Sequence, residues 1–122
     1  MNKIIVFVFY FMSMDVFADP MTPSVKNELT KILARLENSG CQFKRNQSWY
    51  TGVEAKSHLQ RKFDYVENKT SAKTAEEFID LAASKSSITG DPYQVKCAGQ
   101  NSVPSSVWLL KQLDEIRKSN SK

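Results

Sequence analysis

The chain has 122 residues, of which 41% are hydrophobic and 25% are charged, and its formal net charge is +4. This length allows one domain with a small core and excludes a second domain. The mild positive charge suits a protein that moves among anionic envelope polymers or acidic partners, but it is also ordinary surface chemistry.

The first eighteen residues (1–18) have the layout of a cleaved secretory signal peptide. A single cation, Lys3, precedes an apolar run over residues 4–12, and the small residue Ala18 precedes the expected cleavage point before Asp19. The apolar run is far shorter than the roughly 20 residues that span a bilayer, so we expect no stable membrane anchor after cleavage. We therefore predict a periplasmic or secreted protein, and export argues against nucleic acid as a partner.

Residues 19–122 form the expected mature chain, which we predict to be a single α+β domain with one disulfide. Its two cysteines are Cys41 and Cys97, and an oxidising compartment makes their pairing the default expectation. The bond would close a loop of about 57 residues, for which the chain-entropy model gives a stabilisation of roughly 4 kcal/mol.

A first helix is predicted over about residues 23–38. Thr22 and Pro23 provide a cap and a first-turn proline, and Gly40 provides a stop. The apolar residues that recur at helical spacing, and that we expect in the core, are Val25, Leu29, Ile32, Leu33 and Leu36.

A β-hairpin is predicted next, because residues 41–43 and 48–50 are short aromatic-rich runs on either side of the polar motif KRNQ. The residues at 46–47 are weaker turn chemistry than Asn-Gly. Trp49 and Tyr50 point to opposite faces of a strand, so we expect at most one of them in the core.

The motifs TGVE and TAEE, which begin at Thr51 and Thr74, have the spacing of capping boxes and predict two more helices. The first should end near Asn68 and the second near Lys85. Their expected buried residues are Ala55, Leu59, Phe63 and Val66 in the first helix, and Phe78, Ile79 and Ala82 in the second.

A third strand, YQVKC, follows the turn motif TGDP, and its residues Tyr93, Val95 and Cys97 share one face. The disulfide would bring this strand beside the hairpin. A turn-rich connection, AGQNSVPSS, leads to a last amphipathic helix and a frayed tail over about residues 118–122. We thus predict about four helices around a small three-stranded antiparallel sheet. The expected core residues of the last helix are Val107, Leu110, Leu113 and Ile116.

Three segments resemble the YfeK-like family of small exported bacterial proteins: SGCQFKRNQSWYTGVEAKSHLQRKFDYV, TAEEFIDLAASKSSITGDPYQVKC and WLLKQL. The resemblance covers nearly the whole mature chain. The family pattern RNGSWY has glycine at the position of Gln47. This departure affects the expected tightness of the hairpin turn and not the family resemblance. The resemblance implies export, the disulfide and a single α+β domain, and it implies no activity, because the family has no established function.

The second helix carries the best candidates for catalysis. Glu54, His58 and either Arg61 or Lys62 follow at three- and four-residue spacing and so lie along one side of the helix. A small envelope hydrolase could use His58 as acid and base with Glu54 orienting it. The ordinary alternative is a solvated helix face with ion pairs. A nucleophile would come from the motif SKSS, which supplies Ser84, Ser86 and Ser87.

Metal binding is not expected. His58 and the carboxylate four residues before it provide two ligands, whereas a stable zinc site generally needs three or four. We expect neither a metal nor another cofactor.

We interpret the protein as a binding or adaptor module, because charged and aromatic residues crowd into the hairpin and the adjoining helix face. The expected partner is an envelope protein or an anionic cell-wall polymer. The alternatives are the hydrolase and a structural or stress-related protein without a defined ligand. The predicted binding residues are Lys44, Arg45, Trp49, Tyr50, Glu54, His58, Arg61 and Lys62.

Overall fold

The computed structural model describes residues 21–68, 72–86 and 88–121. The predicted signal peptide and its cleavage point lie outside the described residues. Within these residues, four helices and a four-stranded antiparallel sheet form an α+β fold, which confirms the predicted class. No helix in the described part of the chain is long and apolar enough to cross a membrane.

The first three helices in the described part of the chain begin where a threonine side chain caps them. Thr22 accepts a hydrogen bond from the N–H of Val25 at the start of the first helix. The third helix ends three residues before the predicted end at Lys85. The helices are α1 (Pro23–Glu37), α2 (Gly52–Val66), α3 (Ala75–Ala82) and α4 (Ser105–Asn120).

One of the two predicted capping boxes is complete. At the start of α2, the Thr51 hydroxyl accepts from the N–H of Glu54, whose carboxylate accepts from the N–H of Thr51. At the start of α3, Thr74 accepts from the N–H of Glu77, but the Glu77 carboxylate accepts from the N–H of Lys73. The second predicted capping box was therefore only half right. The Glu77 carboxylate accepts from the N–H of Lys73 and not from the N–H of the cap residue Thr74.

The sheet has four strands in the order β2-β1-β3-β4, all antiparallel. The prediction of three strands was wrong. The missed strand has only two residues, ends in a proline, and lies in a segment that reads as a turn. A proline is tolerated there because β4 is an edge strand. The strands are β1 (Gln42–Arg45), β2 (Ser48–Thr51), β3 (Gln94–Lys96) and β4 (Val103–Pro104).

The turn between β1 and β2 is tight although it lacks the glycine of the family pattern. Asn46 and Gln47 both have positive φ, at 48° and 72°, as the two central residues of a type I′ turn require. The Asn46 side chain also accepts a hydrogen bond of 3.0 Å from the Thr89 hydroxyl. The loop before β3 thereby braces the hairpin turn.

The core lies between the helices and the inner face of the sheet, which carries Phe43 and Val95. The predicted core residues of the first three helices are confirmed, with Val25 and Ala55 partly buried at the edge. The fully buried members are Leu29, Ile32, Leu33, Leu36, Leu59, Phe63, Val66, Phe78, Ile79 and Ala82.

The buried face that was predicted for the first half of α4 was wrong. Val107 and Leu110 are 56% and 42% exposed, whereas Leu109 is buried. The small residue Ser105 is buried at the start of the helix, and its N–H donates to the carbonyl of Tyr93 at 2.8 Å. This contact fixes the helix so that Leu109 faces the core, with Leu113 and Ile116, as predicted, also buried.

The far end of α4 is more regular than the predicted tail. The helix continues to Asn120, beyond the expected start of fraying at residue 118. Arg117 forms ion pairs of 2.7 Å with both Glu28 on α1 and Glu76 on α3. These contacts tie the last turns of α4 to two other helices.

The predicted disulfide is present between Cys41 and Cys97, with a Cα–Cα distance of 4.3 Å. The described residues contain no free cysteine. The bond joins the residue before β1 to the residue after β3, so it holds these two neighbouring strands together at one end.

Candidate functional site

The hairpin residues that were predicted to bind divide between the two faces of the sheet. Lys44 is paired with Trp49 across the strands, and its Nζ atom lies 5.9 Å from the centre of the Trp49 ring. Arg45 points to the opposite, inner face by strand alternation, where its guanidinium carbon lies 5.7 Å from the centre of the Tyr50 ring. We call the face with Lys44 and Trp49 the outer face.

A concave pocket of about 370 Å³ lies where the inner face of the hairpin meets α2 and the start of β3. Arg45 and Tyr50 border it from the hairpin, and Tyr93 borders it from the residue before β3. From α2, both His58 and Arg61 contribute to its wall. The pocket thus combines several predicted site residues with one that was not predicted.

Three of these residues and the neighbouring Lys62 form the His58 cluster, which consists of Arg45, His58, Lys62 and Tyr93. Arg45 donates a hydrogen bond from Nη1 to Nδ1 of His58. The Nε2 atom of His58 lies 3.4 Å from the hydroxyl oxygen of Tyr93. Lys62 donates to the same oxygen at 3.0 Å and to the carbonyl of Ala82 at 2.8 Å.

His58 is neutral at neutral pH. Its partial burial is the largest cause that lowers its pKa, and the positive charges of Arg45, Lys62 and Arg61 lower it further, to about 4 from an ordinary value of 6.5. Because a guanidinium only donates, the bond from Arg45 places the imidazole proton on Nε2.

Glu54 does not perform the role that the hydrolase hypothesis gave it. Its Oε1 atom accepts from the N–H of Thr51 at 3.3 Å and from the Thr51 hydroxyl at 3.1 Å. This carboxylate therefore caps α2, and the His58 ring is oriented by Arg45 and Tyr93 instead.

Two serines of the SKSS motif, Ser84 and Ser86, also have structural roles. Ser84 donates to the carbonyl of Ile79 at 2.8 Å. The buried hydroxyl of Ser86 accepts from the N–H groups of Ile88 and Thr89, both at 3.3 Å. Neither of these two serines is a hydrogen-bond partner of His58, and Ser87 lies outside the described residues.

A metal site is not evident in the part of the chain that the structure describes. No group of three or more His, Cys, Asp or Glu side chains is placed there to hold a metal ion. Arg45 and Arg61 border the pocket, and their positive charges repel a metal ion.

Tyr93 is the site residue that sequence reasoning missed. It was predicted to share one face of the third strand with Val95 and Cys97, and only 7% of its surface is exposed. Its hydroxyl nevertheless receives the Lys62 hydrogen bond at the pocket wall. The predicted disulfide was the available signal, since it places the third strand next to the strand that carries Arg45.

Comparison with known proteins gives a family but no activity. Residues 23–117 match the family model DUF5329, which is described as a family of unknown function. An uncharacterised protein of Salmonella typhimurium, YfeK, is 49% identical over 51 residues, which cover 42% of this chain and 41% of that protein. The match thus spans about two fifths of the length of that relative. No solved structure matches the chain.

Proposed function

Because the chain belongs to the DUF5329 family, a family of unknown function, we propose its role from the pocket: a non-catalytic binding or adaptor module of the bacterial envelope. Its partner is an envelope protein or an anionic cell-wall polymer that presents a negatively charged group to Arg45 and Arg61. The predicted signal peptide supports export, and the disulfide supports an oxidising compartment.

The observation that carries this proposal is that Arg45 and Arg61 at the pocket, and Lys62 beside it, form no ion pair with a carboxylate among the described residues. The ion pairs among the described residues involve other cations, and none of them includes Arg45, Arg61 or Lys62. Glu54 borders the pocket, but its Oε1 atom caps α2. A concave site with excess positive charge attracts and orients an anionic group.

The state of His58 favours binding over catalysis. A general acid or base works best when its pKa lies near the working pH, whereas the pKa of His58 is lowered to about 4. Its Nδ1 atom is occupied by Arg45, a cation that opposes the gain of a proton. A neutral ring held in this way is suited to positioning its neighbours.

A capture experiment tests the proposal with a matched pair of variants. The purified, oxidised protein is immobilised and incubated separately with solubilised envelope proteins and with purified cell-wall polymer. Arg45→Ala/Tyr50→Ala removes a cation and an aromatic ring from the pocket, and Lys44→Ala/Trp49→Ala removes the same kinds of side chain from the outer face.

We expect the Arg45/Tyr50 variant to lose capture by about tenfold or more, because a hydrogen bond to a charged group contributes roughly 1.5–3 kcal/mol. The Lys44/Trp49 variant should lose less capture than the Arg45/Tyr50 variant, because Lys44 borders the pocket but is not part of the His58 cluster. Thermal unfolding shows whether both variants remain folded. Undiminished capture by the folded Arg45/Tyr50 variant, or loss in the Lys44/Trp49 variant alone, would contradict the proposal.

A further inference from the structure

The hydrogen bonds of the His58 cluster converge on the hydroxyl oxygen of Tyr93. Arg45 can only donate, so Nδ1 of His58 accepts and Nε2 carries the proton toward the hydroxyl oxygen of Tyr93, 3.4 Å away. The Lys62 ammonium group also only donates, and it reaches the same oxygen at 3.0 Å. Both donors are therefore directed at the Tyr93 oxygen as acceptor.

The proton of the Tyr93 hydroxyl is therefore left to donate. The hydrogen bonds of the described residues give it no acceptor, and Tyr93 forms part of the pocket wall. Arg45 uses one terminal nitrogen for His58 and keeps other N–H groups for a ligand. The exposed side chain of Arg61 borders the same pocket. The cluster thus presents donors to the pocket, and the complementary ligand is an acceptor with negative charge.

Another part of the pocket wall is apolar and lies beside the polar residues Glu54, Ser57 and Gln94. Phe43 and Leu59 are buried core residues that border it, and Ala55 lies beside them. The volume of about 370 Å³ is at the low end of the roughly 300–1,000 Å³ that is typical of ligand pockets. A small ligand with an anionic end and an apolar body can contact both the donors and the apolar side chains. A phosphate or a sugar would leave the apolar side chains without a contact.

We propose that the pocket binds a carboxylate of a partner polypeptide, held by the Tyr93 hydroxyl and the Arg45 guanidinium, with an adjacent apolar side chain against Phe43 and Leu59. This assignment rests on the proposed binding function and names its ligand. The carboxylate comes from a chain terminus or from an acidic side chain, and both sources share the same recognition chemistry.

Fluorescently labelled short peptides test the assignment by anisotropy with the intact, oxidised protein. One leucine-rich peptide has a free C-terminal carboxylate, a second has the same sequence with a C-terminal amide, and a third is amidated with an internal glutamate. A fourth is amidated with an internal phosphoserine. We expect binding of the first or the third peptide, and at least tenfold weaker binding of the uncharged peptide.

Two tyrosine variants provide the matched comparison. Tyr93→Phe removes only the hydroxyl that is proposed to donate, and we expect carboxylate binding to weaken about tenfold. Tyr65→Phe removes a hydroxyl from an exposed tyrosine of α2 that does not border the pocket, and we expect no change. Equal effects of the two substitutions, or equal binding of the carboxylate and amide peptides, would overturn the assignment.

Two further results are also contrary to the assignment: tighter binding of the phosphoserine peptide, and binding of cell-wall polymer without binding of any carboxylate peptide. In either case, capture that still depends on Arg45 and Tyr50 shows that the binding function stands and only the ligand is wrong. Capture that does not depend on these residues contradicts the proposed binding function of the pocket itself.

Discussion

His58 should make the stability of the folded protein depend on pH in a definite window. Its pKa is lowered to about 4 from 6.5, first by burial and then by Arg45, Lys62 and Arg61. Between these two values the unfolded chain takes up a proton at this position while the folded chain does not. The free energy of unfolding is therefore fully retained above about pH 6.5 and decreases as the pH falls to about 4.

The size of this effect follows from the shift. One pKa unit corresponds to about 1.4 kcal/mol, so a lowering from 6.5 to about 4 sets an upper limit of about 3.5 kcal/mol. The ring is only half-buried, and solvent screens the repulsion from the neighbouring cations. We expect about 1–2 kcal/mol after this reduction.

Urea unfolding of the wild type and of His58→Gln, at several pH values from about 7 to 4, measures the effect. Glutamine does not titrate, and its side-chain oxygen can still accept from Arg45. Carboxylates such as Glu76, whose pKa is lowered by its hydrogen bond to Arg117, contribute equally in both proteins and cancel in the difference. If the two proteins lose stability in parallel over this window, the reasoning about His58 is refuted.

Two further predictions concern stability. Replacing Cys41 and Cys97 with serine should lower the free energy of unfolding by about 4 kcal/mol, because the bond closes a long loop; urea unfolding measures this, and a loss below about 1 kcal/mol would contradict it. Gly52→Ala should cost about 1–3 kcal/mol, since an added Cβ would lie 2.4 Å from the carbonyl oxygen of Leu36. Lys56→Ala on the same helix is its control, and equal stability of the two variants would exclude the clash.

The helix starts were predictable because capping chemistry is local. Thr22 and Thr51 each accept from an N–H group three residues ahead, so a short window of sequence contains the whole interaction. The phase of α4 was not predictable in this way. Two apolar stripes that share Leu113 and Ile116 are both present in the sequence, and the contact at the start of the helix, from the N–H of Ser105 to the carbonyl of Tyr93, is made to a distant part of the chain.

The site was only partly predictable for a related reason. Arg45 and His58 are 13 residues apart, and His58 and Tyr93 are 35 apart, so their contacts depend on the packing of three elements. Strand alternation does separate Lys44 from Arg45 and Trp49 from Tyr50 once the strands are assigned. The predicted surface joined all four residues because it was based on their density in the sequence.

Histidine has a property at position 58 that few side chains share. Its neutral ring accepts at Nδ1 and donates at Nε2, so it can lie between the donor Arg45 and the acceptor oxygen of Tyr93. A carboxylate at this position would pair with the nearby cations and reduce their attraction for a ligand. A lysine or arginine would repel Arg45 and give it no acceptor. The neutral histidine instead holds Arg45 in place. The positive charge of Arg45 then stays available to the pocket, as the proposed anion binding requires.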